Sequence, residues 1–473
     1  MHSALAPETL ALHLHDQRTF PMDYLDTLSQ FSSNLDYRTL DADVKDQVGW
    51  ILADTVAAMA AGSAEPELRA IAKKQAHVKA SSHASQLIGL GACSTAEAAA
   101  FINGTSGTFL EMDEGNRFSR GHPAVHVIPA ALALSQERDA SAENFLAAVV
   151  VGYEVGSRLG AASQLRGAMH PHGTWGTIGA GAACARVAGM QALDMRQTIN
   201  IAASLTTATS KQTMLEGGLV RNVYAGLSNR NGLLALNLAE CGFTGERDGP
   251  SSLLGKIIYE SFQPDAVTQG LGQDLHLMRN YFKLHSCCRY NHGTLDAIDQ
   301  MAATQSLPSA EEIDRIEVVT YHLAAELNDP APNNTLAAKF SVPFAVATRI
   351  VNNSSALSSF TWDAVRNPHT LALAQRVSVL HDPAMSARLP NERPSRVTIY
   401  LKDGSTRTAE AGVNRGDDAS PYTREELRQK FMNLTGRIWP AAHCEKLLQA
   451  TLDLAHLKIS LQEWAALLSP SAE

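Results

Sequence analysis

Histidines and carboxylates gather in four short segments of the chain. The first segment holds three carboxylates and two histidines within sixteen residues, namely Glu111, Asp113, Glu114, His122 and His126. Crowded carboxylates raise one another's pKa, so one of them can act as an acid or a base near neutral pH. A solvated helix end would tolerate the same residues without any catalytic role.

The second and third segments could bind a carboxylate. His170 and His172 stand in a polar turn before a helix rich in alanine and glycine, and the free amides of a helix N-terminus suit an anionic ligand. Lys211 and Arg221 follow, and a fixed guanidinium can pair with a carboxylate through two hydrogen bonds. The alternative is a capped loop followed by surface cations.

The fourth segment reads Cys-Cys-Arg-Tyr-Asn-His and ends at His292. A single histidine at such a place is usually structural. The histidine-bearing turns and the cation each lie at a boundary between predicted elements, however. We therefore expect them to meet in a cleft between domains.

Metal and covalent chemistry fit these segments less well. His122 and His126 have the spacing of metal ligands, but Pro123 separates them and no His-Glu-x-x-His motif is present, so we predict no metal site. The side chains of Cys287 and Cys288 diverge because the residues are adjacent, and no neighbouring group is certain to lower the pKa of either thiol. A covalent mechanism is therefore not favoured.

Helices must position most of these residues. An apolar stripe predicts an amphipathic helix over residues 44–59 that is stopped by Gly62. A capping-box pattern begins at Ser94, and Ser141 precedes another apolar stretch, so further helices are expected there. We predict a mainly α protein whose first domain, residues 1–268, is all helical.

The pattern changes after this domain. Apolar and polar residues alternate with a period of two, which predicts strands near Ile316, Val377 and Val397. Asp403-Gly404 is the signal of a hairpin turn. We predict a smaller α+β lid domain over residues 269–410, followed by C-terminal helices in residues 411–473 that return to the helical domain.

Composition limits the possible partners. The 473 residues are 45% hydrophobic and 18% charged, which suits a large buried core, and the formal charge of -9 speaks against nucleic acid or an anionic membrane as a partner. No apolar run reaches the roughly 18 residues of a membrane span, and the N-terminus is unlike a signal peptide. Six cysteines are too sparse for a disulfide framework. We expect a cytoplasmic protein.

These segments, in this order, resemble the MmgE/PrpD family, whose members include 2-methylcitrate dehydratase, cis-aconitate decarboxylase and iminodisuccinate epimerase. The resemblance covers nearly the whole chain. The matching stretches are residues 111–129, 170–179, 221–232, 287–292 and 338–344.

The resemblance implies a helical domain made from both chain ends, a smaller α/β lid and a homodimer. It also implies an active site in the cleft between the domains, without a metal or an organic cofactor. The residues that it marks as catalytic are His122, His170, His292, Asp113 and Glu111. For binding a small polycarboxylate substrate we expect Arg221, Glu114, His172 and Lys211.

Four positions depart from the family pattern. Arg221 stands where the decarboxylase and the epimerase have lysine, and Phe344 stands where many members have tyrosine. Gly115 replaces a threonine, and the first acidic position is Glu111 rather than aspartate. Arg221 can bind a carboxylate or stabilise an enolate but cannot be the base, because arginine keeps its proton at neutral pH.

These residues suggest carbanion chemistry. We expect His170 or His292 to remove a proton α to a carboxylate, and another histidine to return it or to protonate the leaving group. A dehydratase-type lyase, similar to 2-methylcitrate dehydratase, is the first hypothesis because this is the usual activity of the family. An epimerase or isomerase is the second, a decarboxylase is the third, and a catalytically silent dicarboxylate-binding relative is the alternative outside enzymology.

Overall fold

The computed structural model describes residues 22–75 and 83–468, and most of the regular structure in them is helical. The predicted mainly α fold is therefore confirmed. The helices before residue 268 are α1 Tyr24–Asn34, α2 Ala42–Ser63, α3 Pro66–Gln75, α4 Ala96–Phe109, α5 Pro123–Glu137, α6 Ala142–Ala161, α7 Trp175–Val187, α8 Ala192–Ser204, α9 Lys211–Leu215, α10 Val223–Glu240, α11 Gly249–Ser252 and α12 Pro264–Val267.

Short strands also occur in this part of the chain, which the sequence analysis expected to be all helical. They form three two-stranded antiparallel pairs. The strands are β1 Ser85–Leu87 with β2 Ala92–Ser94, β3 Gly115–Asn116 with β6 Asn280–Tyr281, and β4 Ser163–Leu165 with β5 Tyr259–Phe262. The β3–β6 pair, with Gly115 opposite Tyr281, joins the acidic segment to a segment that lies after residue 268, and so it helps to form the site.

Helix ends follow local capping chemistry. Ser141 accepts a hydrogen bond from the backbone N–H of Asn144 and begins α6, as predicted. The cap of α4 is Thr95, whose side chain accepts from the N–H of Ala98, and not Ser94 as predicted. Gly62 does not end α2 either. It lies inside the helix, where a Cβ atom would collide with the carbonyl oxygen of Ser106 in α4.

The α+β part, residues 292–411, contains one four-stranded sheet. Its strands are β7 Ile313–Thr320, β8 Val377–His381, β9 Ser395–Leu401 and β10 Thr406–Ala411, in the order β10-β9-β7-β8. Neighbouring strands are antiparallel except β7 and β8, which are parallel. The Asp403-Gly404 turn joins β9 to β10 as predicted, with Gly404 at φ +89°.

Helices cover this sheet and connect its strands. They are α13 His292–Thr304, α14 His322–Ala325, α15 Thr335–Lys339, α16 Val342–Val351, α17 Trp362–Val365, α18 Pro368–Ala374 and α19 Pro383–Ser386. Apolar residues of the central strands, such as Ile316, Val318 and Val397, share one hydrophobic cluster with Ile298 of α13 and Val346 of α16.

The C-terminal helices pack against the N-terminal ones. They are α20 Arg424–Thr435, α21 Ala441–Ala455 and α22 Leu461–Ala465. The Tyr37 hydroxyl donates to the carbonyl of Ala455 at 2.8 Å, and the rings of Phe145 and Trp464 lie 6.0 Å apart. Both chain ends therefore contribute to one hydrophobic core.

The domain boundaries at residues 268 and 410, the homodimer and the cytoplasmic location stay predictions. None of the helices in residues 22–75 and 83–468 has the length and apolarity needed to cross a membrane.

Candidate active site

The acidic segment begins where α4 ends. Glu111 follows the helix at φ +56°, a left-handed conformation that is costly for a residue with a side chain. This turn buries the Glu111 carboxylate, which pairs with the guanidinium of Arg221. Arg221 is 2% exposed, and the Glu111 carboxylate compensates its charge inside the protein.

Lys283 is a second cation at the same carboxylate, and the sequence analysis missed it. Its fully buried Nζ lies 3.5 Å from Glu111 Oε2 and 3.9 Å from Asp113 Oδ1, and it donates to the Glu111 carbonyl at 3.1 Å. The only sequence signal was an isolated charge between Phe282 and Leu284. Lys283 is thus a second fixed cation beside Arg221 at the Glu111 carboxylate.

His122 and Asp113 form an ion pair next to these cations. His122 Nδ1 lies 3.0 Å from Asp113 Oδ2 and 2.7 Å from the Glu114 carbonyl. A carbonyl only accepts, so Nδ1 carries a hydrogen and Nε2 is the nitrogen that these contacts leave for a ligand. Burial opposes ionisation of Asp113, but the charges of His122 and Lys283 outweigh it and hold the pKa of Asp113 well below its usual range.

Glu114 differs from Asp113 although the two are adjacent. Its Oε1 accepts from the N–H of Ala124 at 2.8 Å, and its Oε2 accepts from the Tyr153 hydroxyl at 3.2 Å. Complete burial, with the nearby charges of Asp54 and Asp113, raises the pKa of Glu114 to about 8. Glu114 is thus a neutral acid at neutral pH, next to an ionised aspartate.

Four histidine rings are in contact beside this pair. The centroid of His172 lies 5.0 Å from His122, 4.5 Å from His126 and 4.6 Å from His170. Burial lowers the pKa of His126 to about 4, and burial with the charge of Arg221 holds those of His170 and His172 well below the usual value. These three rings are neutral at neutral pH.

His170 has no nitrogen free to take a proton from a substrate. The backbone N–H of His172 donates to its Nδ1 at 3.1 Å, and Arg221 Nε lies 3.4 Å from its Nε2. A neutral imidazole has one acceptor nitrogen, so it cannot accept from both donors. Whichever nitrogen accepts, the other also faces a donor within the protein, so both ring nitrogens are occupied by internal contacts.

The structure places His292 in a different group. It packs against His285 with ring centroids 4.9 Å apart, accepts from Arg289 at Nδ1 over 3.0 Å, and donates from Nε2 to the Cys287 carbonyl over 3.3 Å. Both ring nitrogens are therefore used within the protein. None of these contacts reaches His122.

The side chains of two further positions considered in the sequence analysis have other partners. The Lys211 side chain pairs with Glu326 and is partly exposed. Phe344, at the position of the family's tyrosine, is fully buried and packs against Phe360 at 5.9 Å.

Tyr281 packs against Gly115, the position where the family pattern has a threonine. The ring of Tyr281 lies 6.2 Å from that of His122, and a Cβ atom on Gly115 would collide with the Tyr281 hydroxyl. Arg289 and Arg393 lie over the same tyrosine ring at 4.5 and 5.6 Å. Glycine at position 115 therefore makes room for a residue that no sequence motif indicated.

One protein family matches this chain in two successive stretches. The MmgE/PrpD N-terminal domain matches residues 26–251, and the MmgE/PrpD C-terminal domain matches residues 285–454. The chain belongs to the MmgE/PrpD family. Lys283 and Tyr281 lie between the two matched stretches, which helps to explain why the family motifs did not reveal them.

Relatives within this family are similar over most of their length. A cis-aconitate decarboxylase of Aspergillus terreus is 24% identical to the chain, over 91% of this chain and 93% of the relative. That of Mus musculus is 26% identical over 70% of each chain, and that of Homo sapiens is 23% identical over 76% of this chain and 77% of the relative.

Two observations concern possible metal ligands and thiols in this MmgE/PrpD chain. Within the part of the chain that the structure describes, no group of three or more His, Cys, Asp or Glu side chains could hold a metal ion. Burial raises the pKa of the Cys288 thiol to about 11 and that of Cys287 still further, so both stay protonated at neutral pH.

Proposed function

We propose that this chain is a lyase that acts on a small polycarboxylic acid through a carbanion next to a carboxylate. The observation that carries the proposal is the His122–Asp113 pair, which lies between buried cations and a group of neutral histidines. A base paired with a carboxylate can move a proton, and fixed cations stabilise the negative charge that follows.

His122 is the proton-transfer residue in this proposal, in place of His170 or His292. Its Nδ1–H is held by the Glu114 carbonyl and faces Asp113, so Nε2 is the nitrogen that exchanges a proton with the substrate. Asp113 stabilises the imidazolium when the ring is protonated. Lys283 and Arg221 both pair with Glu111, next to the His122–Asp113 pair. Their positive charges would stabilise the negative charge on an enolate oxygen there.

Decarboxylation of a cis-aconitate-like acid is the first specific reaction that we propose. The named activity of the relatives supports it, although the sequence analysis placed it third. The bond between a carbon and its carboxylate breaks, the electron pair stays on that carbon, and carbon dioxide leaves. Protonated His122 then delivers a proton to the carbanion, which gives an unsaturated dicarboxylate. A water-poor site favours the first step.

Dehydration is the second specific reaction, and Glu114 is the observation that favours it. Elimination of water needs a base for the α-proton and an acid for the departing hydroxyl. Neutral His122 would supply the base, and Glu114, with its pKa raised to about 8, is a protonated carboxyl next to Asp113. The C–O electron pair leaves with the hydroxyl, which takes up the proton of the acid and departs as water.

An NMR experiment in deuterated water tests the proposal. The purified chain is incubated separately with cis-aconitate, citrate, 2-methylcitrate and substituted succinates. Decarboxylation gives a dicarboxylate that carries deuterium at the former carboxylate carbon, dehydration gives a new vinylic signal, and epimerisation gives deuterium exchange without loss of atoms.

The matched variants are His122→Asn and His369→Asn, because His369 is exposed on α18. We expect His122→Asn to lose about 10²- to 10⁴-fold in rate and His369→Asn to behave like wild type. Full activity in folded His122→Asn would rule out the assigned role. The absence of all three signals across the panel would favour the silent binding relative.

A further inference from the structure

A cavity of about 870 Å³ lies between the helical part of the chain and the α+β part. Phe109, Leu110 and Met112 line one side, on either side of the Glu111 turn, and α20 contributes Lys430. Lys339 and Phe360 line the opposite side. The four contacting histidines are not among the lining residues, so the cavity adjoins the Glu111 turn without including the histidine rings.

Lys339 is a buried cation without a counter-ion. It is the last residue of α15, and it is 5% exposed. Among the residues that the structure describes, no carboxylate oxygen lies within 4 Å of its Nζ, and no hydrogen bond from Nζ is formed. The carboxylates of Glu111 and Glu65 act on Lys339 only from beyond this distance, and the charge of Arg437 opposes them. A group that supplies a negative charge in direct contact would therefore stabilise the charged lysine.

The other cations that line the cavity are already paired. Lys430 binds the Asp54 carboxylate and the Met112 carbonyl. Arg437 donates to Glu65 at 2.9 Å and to the Ala61 carbonyl at 3.1 Å. Within the described part of the chain, Lys339 is therefore the cavity-lining cation that is left for a ligand.

The remaining walls indicate what the rest of the ligand is like. Leu110, Met112, Leu336 and Phe360 present apolar surface to the cavity. The volume is in the range of pockets that hold organic molecules larger than a simple inorganic anion. Three glutamates also line the cavity: Glu65 pairs with Arg437, Glu426 pairs with Arg415, and Glu67 is exposed. A largely apolar wall with Lys339 as the cation left for a ligand matches a molecule with an apolar body and one acidic end.

We propose that this cavity binds an aliphatic carboxylate, with the carboxylate paired to Lys339 and the hydrocarbon part against Leu110, Met112 and Phe360. This binding site goes beyond the proposed lyase activity, since it rests on the cavity and on Lys339 and uses none of the histidines. Leu110 and Met112 flank Glu111, so an occupied cavity also touches the turn that carries the catalytic carboxylates.

Burial supports the same assignment through the protonation state of the lysine. It lowers the pKa of Lys339 to about 8, so a large part of the side chain is charged at pH 7 and little of it at pH 9. Carboxylate binding should therefore weaken over this range, whereas binding of an uncharged ligand of the same shape should not change.

The experiment measures binding of hexanoate and of hexanamide to the full chain by isothermal titration calorimetry at pH 7 and pH 9. We expect wild type to bind hexanoate at pH 7 at least about tenfold more tightly than hexanamide, and to lose this preference at pH 9. Equal affinities for the two probes at pH 7 would overturn the proposal. This comparison needs no variant, so it does not depend on how a substitution affects folding.

Two lysine variants then locate the charge. Lys339→Met keeps the length and apolar volume of the side chain, and we expect it to lose the preference for hexanoate while it still binds hexanamide. Lys402→Met, at an exposed position after β9, should bind both probes like wild type. An unchanged preference for hexanoate in folded Lys339→Met would contradict the assignment of Lys339.

A competition experiment separates a substrate from another carboxylate as the natural ligand. If the substrate found by NMR displaces hexanoate and Lys339→Met raises KM, the cavity binds the substrate itself. If hexanoate binds without affecting KM, the cavity serves a second carboxylate. Both results support a carboxylate site at Lys339. The binding assay requires no turnover, so it can succeed or fail independently of the lyase proposal.

Discussion

Asp113 is the residue at which the proposed mechanism can be tested most directly. Its carboxylate lies 3.0 Å from His122 Nδ1 and 3.9 Å from Lys283 Nζ. Asp113→Asn keeps the volume but removes the charge that stabilises the His122 imidazolium. We expect kcat to fall about 10²- to 10⁴-fold with little change in KM, as measured by NMR with the substrate found above.

The control for this substitution is Asp314→Asn on the exposed side of β7, where the same chemical change should leave both kinetic constants unaltered. A rise in KM without a fall in kcat for Asp113→Asn would mean that Asp113 binds substrate and does not assist proton transfer.

Glu114 predicts a dependence of stability on pH. Its pKa is about 8 in the folded chain and near 4.5 in the unfolded chain, so between these values the folded state binds more protons. The stability that Glu114 contributes is complete below about pH 4.5 and is lost as the pH rises towards 8, by up to about 1.4 kcal/mol per pH unit. Glu114→Gln resembles the protonated side chain, so the melting temperature of this variant should rise relative to wild type from pH 5 to pH 8.

Glu311→Gln is the matched control, because Glu311 is exposed. Its melting temperature should follow that of wild type over the same pH range. Parallel melting curves for Glu114→Gln and wild type would show that Glu114 is ionised in the folded protein at neutral pH.

Individual residues of the site could be predicted where local sequence sets their position. Glu111, Asp113 and His122 follow one another around a helix end, and the structure keeps them together. Lys283 could not be predicted, because it reaches Glu111 from 172 residues away through the β3–β6 pairing. His292 has the right residue type, but the donors and acceptors that surround it, Arg289 and the Cys287 carbonyl, are visible only in the fold.

At the scale of elements, periodicity predicted the helices and the strands of the main sheet better than their ends. The alternation near Ile316 and Val397 identified strands that pair in register, with Ile316 opposite Ile399. The strands β3 and β4 have two and three residues, which is too short for alternation to appear. Gly62 looked like a helix stop, although its role is in packing, which depends on the position of α4.

Gly62 therefore gives a prediction about the contact between α2 and α4. Gly62→Ala would gain up to about 1 kcal/mol of helix propensity but would place a methyl group against the backbone of Ser106. We expect a net loss of about 1–3 kcal/mol in the free energy of unfolding, measured by urea denaturation. Gly167→Ala is the control, since nothing lies within 4 Å of a Cβ atom there, and a stabilised Gly62→Ala would show that the two helices can move apart at little cost.

At the scale of the whole molecule, many titratable groups are buried in the core. Both chain ends and the α+β part surround them, so that Lys430 from α20 reaches Asp54 in α2 and the carbonyl of Met112. The buried histidines His126, His170, His172 and His292 belong to two separate groups, yet burial lowers the pKa of every one of them. Their effects on global stability therefore have the same sign.

These four histidines predict that acid destabilises the whole fold. The pKa of His126 is about 4 in the folded chain and about 6.5 in the unfolded chain, so between these values the unfolded state binds more protons and stability falls as the pH falls. Each such histidine contributes up to about 1.4 kcal/mol per pH unit. Three buried carboxyls, Glu114, Asp54 and Glu154, oppose the four histidines, because burial raises their pKa values. We expect the urea midpoint to fall as the pH is lowered from 6.5 to 4.5.

His126→Gln should reduce the slope of the unfolding free energy against pH by about one proton, and exposed His369→Gln should leave this slope unchanged. An unchanged slope in folded His126→Gln would mean that His126 is protonated in the folded chain at these pH values, which would contradict the neutral ring assigned to it.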